Sequence, residues 1–566
     1  MNLDPPITPA ARHCAWNIWQ NPIFGRYCQS RLRWPATGIA VLITVLIAGF
    51  SVSLAYSIGL RTHLSATDAA RPGIIVLLVI QGFILFILGT AQVAGGMTAE
   101  RDEGVIDYQR LIPMSPLSKV LGYLFGLPVR EYVMFLATLP FTAWSLWRGE
   151  VEWLVWLPLY LIVASSTLLY HFTGLVTGTV ARNRRWAFLA SIGLVFCLYT
   201  IIPQMAKFGL VFFKYLTITP VLQECLPGIL PRTAGALVKA GQQLAPSAKF
   251  FNLDFSEAVF SAFSQGGLIL TFVVMLCRKW RRAESHLLGK LWATGFFIWI
   301  QILLLGNALP LIEPGQLFPT RAFSRMARLS PDWAPTSGEA VLLSSIYGLV
   351  TLLLICLLAA MITPSVDQQI RGWRRARKQG EESLPRLADA ATAVWFVGLM
   401  AIAGAAAWFG FTRALVESRW FPGHELPLSV LGYFSAVMVV AGVGCQTLLE
   451  NKGGRLVGLA GLFVGVVPLM IGAVLCVISE RLVPTASWLM GISPLSMPFY
   501  ASGSLLSLSE LPVQAARAVP RAFTFWLFVY VLVTLWSIVR LYEHRRAMAK
   551  SVRVSPLNAP GTGDQS

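Results

Sequence analysis

The sequence predicts an all-α membrane protein that crosses the bilayer about twelve times, in two six-helix halves. Three observations carry this. Of 566 residues, 55% are hydrophobic and only 13% charged, against roughly 25% charged in a soluble domain. Apolar runs long enough for ~30 Å of hydrocarbon recur from end to end. Lys and Arg gather in dense clusters at the ends of alternate runs, as they do on the cytosolic side of membrane proteins.

The elements follow in order. Residues 1–15 are polar. In 16–33, Asn21 is a good N-cap and Pro22 suits the first helical position. Ile23, Phe24, Tyr27 and Cys28 share one face, with Arg26, Gln29 and Arg33 beyond it. This cationic, aromatic-rich helix suits the membrane interface; a simple juxtamembrane anchor has the same composition. Residues 1–35 thus form a tail and an interfacial helix. Spans are expected at 36–58, 74–96, 117–144, 153–180, 186–206 and 255–277. A second set is expected at 288–312, 339–362, 390–411, 427–449, 455–478 and 521–542. The halves are 36–277 and 278–550, the second a degenerate repeat, and 551–566 reads as a disordered cytosolic tail. Each half has a long outer segment before its last span, 207–254 and 479–520. In the first, Pro220, Pro227 and Pro231 break up apolar pieces too short to cross, which suits interfacial or re-entrant helices.

Charge fixes the orientation. The clusters at Arg182, Arg184 and Arg185, at Arg278 to Arg282, at Arg371 to Lys378 and at Arg540 to Arg546 all fall inside if both termini are cytosolic. The net charge of +18 is therefore a topology signal. No basic block with interleaved aromatics signals nucleic acid. The run that begins near Ala36 far exceeds the h-region of a signal peptide.

Catalytic signatures are missing from the sequence. The eight cysteines form no CxxC, which leaves neither a zinc site nor a dithiol signalled. Only Cys225 falls in an outer segment, without an evident partner. There is no GxxxxGK[ST], no HExxH, and only six histidines. An enzyme is not expected, and no cofactor is expected in this chain.

The most informative stretch is 100–116, ERDEGVIDYQRLIPMSP, between the second and third spans. A helix from about Arg101 to Ile112 would line up Val105, Tyr108 and Ile112, with Leu111 at the edge, and would turn Glu103, Asp107 and Arg110 elsewhere. Pro113 and Pro116 end it. Such a helix can lie at the interface and show its polar side to a soluble partner; an ordinary cytosolic loop helix has the same pattern.

This stretch resembles the cytosolic loop of type-2 ABC transporter permeases. There a Glu-Arg-x-x-Gly opening leads to a Pro-hydrophobic-Ser close, and the next span has an early glycine. Here the pattern is carried by Glu100, Arg101, Gly104, Val105, Ile106, Asp107, Leu111, Pro113, Met114, Ser115 and Gly122. Val105 departs from the usual Thr or Ser. The Asn-Pro opening at Asn21 similarly resembles the family's elbow helix, and the segment before the sixth span sits where the family has a re-entrant hairpin. The resemblance implies a permease of the bacterial plasma membrane, an exporter coupled to a separate ABC ATPase in two copies that binds the ATP. It implies that Glu100, Arg101, Glu103, Gly104, Asp107, Leu111, Pro113 and Pro116 couple to that ATPase. The loop after the eighth span, SVDQQIRGWRRARKQGEESLPR, does not fit the pattern. The two ATPase sites are therefore expected to be engaged unequally.

Arg130 and Glu131 lie within the third span, where charge is costly and often functional, although ion pairs also stabilise bundles. Neighbours on a helix point ~100° apart, so each is expected to find its own partner. His171 reads as a hydrogen-bonded packing residue. Gly122/Gly126, Gly174/Gly178 and Gly461/Gly465 are small-xxx-small pairs suited to close helix contact. An ion- or proton-coupled secondary transporter remains as an alternative, though it would use more intramembrane ionisable groups. A membrane-embedded transferase would need a polar catalytic cluster, and none is evident.

Overall fold

The structure, a computed structural model, describes residues 15–181, 183–235, 248–323, 333–381, 383–506 and 513–551. The N-terminal residues to 14 (with Cys14), Arg182, residues 236–247 and 507–512 of the outer segments, and the tail from 552 lie outside the described residues. The chain is a multi-pass helical membrane protein. Among the described residues, eleven helices are long and apolar enough to cross a membrane, and one bent pair, taken as a single span, makes a twelfth. Among the described residues the only sheet is a hairpin of Ala248–Phe250 with Leu253–Phe255.

Contacts divide the chain into two compact units. The first comprises residues up to Gln204, Phe213–Ala248 and Asp254–Ala283. It begins with α1 (Pro22–Arg31), capped by Asn21, whose Oδ1 accepts from the Ile23 N–H at 3.0 Å. Helix α2 (Trp34–Arg61) has mean hydropathy 2.4 and few buried residues. Its outward Ile39, Leu42, Leu46 and Phe50 need lipid, not protein, to cover them. Helix α3 (Ala66–Asp102) contains a π-helical stretch at Phe83–Gly89. A short helix α4 (Val105–Leu111) follows. The expected third span is broken: α5 (Pro116–Gly126) and α6 (Val129–Arg148) meet at 55°. Pro128 stands at the break, where its ring and missing N–H prevent a continuous ladder. Helices α7 (Trp153–Val180), α8 (Arg184–Thr200), α9 (Thr219–Ile229) and α10 (Glu257–Arg281) complete the unit.

Small residues set the closest approaches. A Cβ at Gly178 would lie 2.7 Å from Met97 Cβ, and one at Gly174 2.9 Å from the Thr90 carbonyl oxygen, so α7 lies directly on α3. At the π-helical stretch, His171 Nε2 meets the Leu85 carbonyl at 3.0 Å and Nδ1 meets the Tyr132 hydroxyl at 2.8 Å. The carbonyl can only accept, so Nε2 carries the proton. A Cβ at Gly89 would lie 2.5 Å from that nitrogen; glycine makes the room. His171 is the packing residue expected.

The second unit runs from Glu284, with Met205–Phe212 and Lys249–Leu253. Its helices are α11 (Lys290–Leu311), α12 (Ser337–Ile362), α13 (Val366–Lys378), α14 (Val394–Val416), α15 (Ser429–Lys452), α16 (Leu456–Ile478), α17 (Val483–Met490), α18 (Met497–Leu505) and α19 (Val513–Ser551). Helix α19 runs well past the 542 expected for the last span. In the core, Trp408 stacks on Phe434 with centroids 3.6 Å apart and donates to Ser344 Oγ at 3.1 Å. At one end, Glu450 is buried and paired with Arg545 while accepting from Gln446 at 2.6 Å and Thr392 at 3.1 Å. Nearby, Lys290 Nζ donates to the Ala388 and Ala391 carbonyls at 2.6 and 2.8 Å. The Gly461/Gly465 pair is not a helix contact. A Cβ at Gly461 meets nothing and one at Gly465 reaches only Leu495 at 3.5 Å; both glycines sit in a second π-helical stretch, Gly461–Val466.

Candidate functional site

The 100–116 stretch is not one helix from 101 to 112. Helix α3 carries on through Asp102, so Glu100 and Arg101 belong to its last turn. Gly104 then takes φ +74°, a left-handed conformation open to glycine at little cost, and α4 starts afresh at Val105. The break rotates the face that packs. Ile106 and Gln109 are buried, while Tyr108 is 71% and Leu111 82% exposed. The expected Val105/Tyr108/Ile112 stripe is therefore not the packing face. A reading of apolar spacing alone could not see this, because the buried face includes the polar Gln109, which meets the Tyr123 hydroxyl, and Ile112 is already extended beyond the helix.

Glu100 is the hub behind α4. Its Oε1 accepts from Arg26 Nη2 at 2.6 Å and from the Tyr27 hydroxyl at 2.7 Å. Its Oε2 accepts from the Tyr123 hydroxyl at 2.9 Å. Tyr123 Oη also lies 2.8 Å from the Gln109 side-chain oxygen position. A hydroxyl has one proton, so with Tyr123 donating to the carboxylate the Gln109 amide meets it as a donor through its NH₂. One carboxylate thus ties α1, α3, α4 and α5 together. Burial, then the neighbouring Tyr123 and Glu100, push the Tyr27 hydroxyl far above its usual range, so it stays a donor.

Glycines make the hub possible. A Cβ at Gly122 would sit 2.7 Å from Asn21 Oδ1, and one at Gly126 2.7 Å from Tyr27 Cδ2. Asn21 Nδ2 donates to the Ser118 carbonyl at 2.7 Å. Two of the three small-residue pairs therefore act as expected, this one by seating α1 on α5.

The remaining residues of the stretch divide into anchors and free groups. Arg101 Nη1 donates to the Gly178 and Thr179 carbonyls at the C-terminal end of α7, at 3.3 and 3.2 Å, where a cation also suits the helix dipole. Arg110 pairs with Asp107 and reaches the Lys279 carbonyl at 3.4 Å. Lys119, 4% exposed, donates to the Ile112 carbonyl at 2.9 Å. Ile112 is extended before Pro113, as a pre-proline residue prefers, and Ser115 with Pro116 caps and starts α5. Glu103, Gly104, Asp107, Tyr108, Leu111 and Pro113 face outward. A cavity of about 310 Å³ opens beside α4, with Arg101, Arg110, Lys279 and Trp280 among its walls. The arrangement presents a small acidic and apolar knob on a base rigidly tied to five helices.

Arg130 and Glu131 do not find separate partners. They pair with each other at 3.1 Å, at the first turn of α6 beyond the break. The long, flexible Arg side chain lets neighbours ~100° apart on the helix meet. Glu131 is 1% exposed, and its second oxygen has no hydrogen-bond partner in the protein. The Arg31 guanidinium feels the same carboxylate, and burial holds it below its usual value. Arg31 also donates to Gln92 at 2.9 Å.

Among the described residues, no three His, Cys, Asp or Glu side chains are placed to share a metal ion. Comparison with protein-family models, curated proteins and solved structures returns no match for this chain.

Proposed function

We propose that the chain is the membrane-spanning subunit of an ABC exporter, forming the substrate path and driven by a separate ATPase. The 100–116 segment supports this most strongly. Its sequence resembles the family's coupling loop, and α4 turns Asp107, Tyr108 and Leu111 to solvent. Behind α4, the Glu100 hub and the Arg101 and Arg110 anchors join it to α1, α3, α5, α7 and α10. A push on α4 is passed to those helices rather than absorbed by a slack loop, which is what rigid-body switching needs. The sequence has no P-loop, so ATP binds on the partner. With two sets of spans in one chain, one copy forms the pathway with two ATPases in the bacterial plasma membrane, both termini cytosolic. The test is co-purification. A complex with one copy of this chain per ATPase pair supports the reading; two copies, or no ATPase, counts against it.

Glu131 supports a second reading, a proton- or ion-coupled transporter. A buried carboxylate oxygen with no hydrogen-bond partner among the described residues, at a helix break, suits an ion stop. Under this reading Glu131→Gln abolishes uptake driven by an ion gradient in proteoliposomes. Gradient-independent transport sinks it.

A further inference from the structure

We propose that the exposed side of α13 is a docking surface for the anionic phospholipid headgroups of the cytosolic leaflet. Arg371, Arg374, Arg375 and Lys378 are spaced i, i+3, i+4 and i+7, which places all four within an arc of about 100°. All four are exposed. Helix α13 is not a loose loop. Ser365 and Gln368 close a capping box at its start, and Gln369 and Ala376 are buried on the opposite side. Gly372 lets that side lie flat: a Cβ there would be 2.2 Å from Ala390 Cβ. The 386–391 segment it rests on is itself pinned by Lys290 and by His286, whose Nε2 lies 3.1 Å from the Asp389 carbonyl. The cations are thus fixed outward on a braced platform.

Position and charge together select the partner. α13 begins four residues after α12 ends at Ile362, so it lies within a turn or so of the headgroup layer. The Lys/Arg bias makes that side cytosolic, where the leaflet is negative. Glu284 pairs with Arg371 and, at 3.0 Å, with Arg375, and its backbone accepts from Gln368 at 2.8 Å. Asp367 shares the face at the helix start. The four cations still outnumber these two acids. A phosphate diester that reaches Arg374 and Lys378 also competes with Glu284 for the two paired arginines. An acidic protein surface is the rival occupant, but α13 lacks the outward apolar pair that α4 has in Tyr108 and Leu111.

The experiment uses the full chain purified in a neutral detergent. Phosphatidylglycerol or phosphatidylcholine is titrated in, and retained lipid is counted by native mass spectrometry. Wild type is compared with R371Q/R374Q/R375Q/K378Q and with R371K/R374K/R375K. The inference predicts a preference for phosphatidylglycerol that weakens at high salt. At about fivefold per cation lost near a charged surface, the glutamine variant loses tenfold or more, while the lysine variant keeps most of the binding. Equal retention by wild type and the glutamine variant, or no lipid preference in wild type, overturns it. So does a glutamine variant that keeps phosphatidylglycerol but loses a co-purifying ATPase, which would assign the face to protein. The inference is independent of the ABC reading, since lipid binding is measured without an ATPase.

Discussion

Glu100→Ala removes the acceptor for three groups at once, and its cost can be worked from the site. Tyr27 and Tyr123 are 5% and 1% exposed, so their hydroxyls lose a partner where water cannot easily replace it. Each such orphan costs about 1–3 kcal/mol. Arg26 is 42% exposed at its side chain and re-solvates, so its share is at most about 1 kcal/mol. Tyr123 retains Gln109, which lowers its share. The sum is about 2–4 kcal/mol, borne by the docking of α1, because Arg26 and Tyr27 are both on that helix. At 1.4 kcal/mol per factor of ten, the amides of 22–31 should exchange roughly 30- to 700-fold faster in the variant. The assay is hydrogen–deuterium exchange with peptide-level mass spectrometry in detergent. Unchanged protection over 22–31, with the protein folded, refutes the hub.

Other expectations follow from the same packing. Gly126→Val places new atoms inside Tyr27, where even a Cβ would be 2.7 Å away, so it should release α1 at a cost of about 1–3 kcal/mol. Combined with Glu100→Ala it should add little beyond the larger single effect in the same exchange assay, since both undo one contact. In the second unit, Glu450→Ala leaves Arg545, 12% exposed at its side chain, without its counter-ion, at about 3–5 kcal/mol. The double Glu450→Leu/Arg545→Leu variant should recover much of that loss in a thermal unfolding scan.

Much of the architecture was legible in the sequence because the bilayer imposes it. Backbone groups must be satisfied within each crossing segment, so span lengths follow from apolar runs. The helix after Asn21 was readable from its cap and proline, which act locally. What was hidden depended on tertiary partners. The bend between α5 and α6 falls in a run that stays apolar throughout, and Pro128 alone did not announce it. The π-helical stretch at Phe83–Gly89 leaves no pattern in FILFILG; it is marked by His171 filling the gap. The Glu100 hub joins residues from 26 to 123, and no spacing rule links Arg26, Tyr27 and Tyr123. The packing face of α4 is hidden from apolar spacing because it includes Gln109, whose partner Tyr123 comes from another helix.

That face also decides how the central claim is best tested. Glu100 is a buried organiser, so changing it confounds docking with folding. Glu103 and Asp107 are exposed, and Asp107 pairs with Arg110 one turn on. The direct measurement is therefore pull-down of an ATPase by the full-length chain, wild type against Glu103→Lys/Asp107→Lys. Exchange over 22–31 is followed in the same samples as a folding control. The account predicts unchanged protection with loss of the bound ATPase by tenfold or more, as when rim charges facing a partner are reversed. An ATPase retained at wild-type level by the folded variant would contradict it.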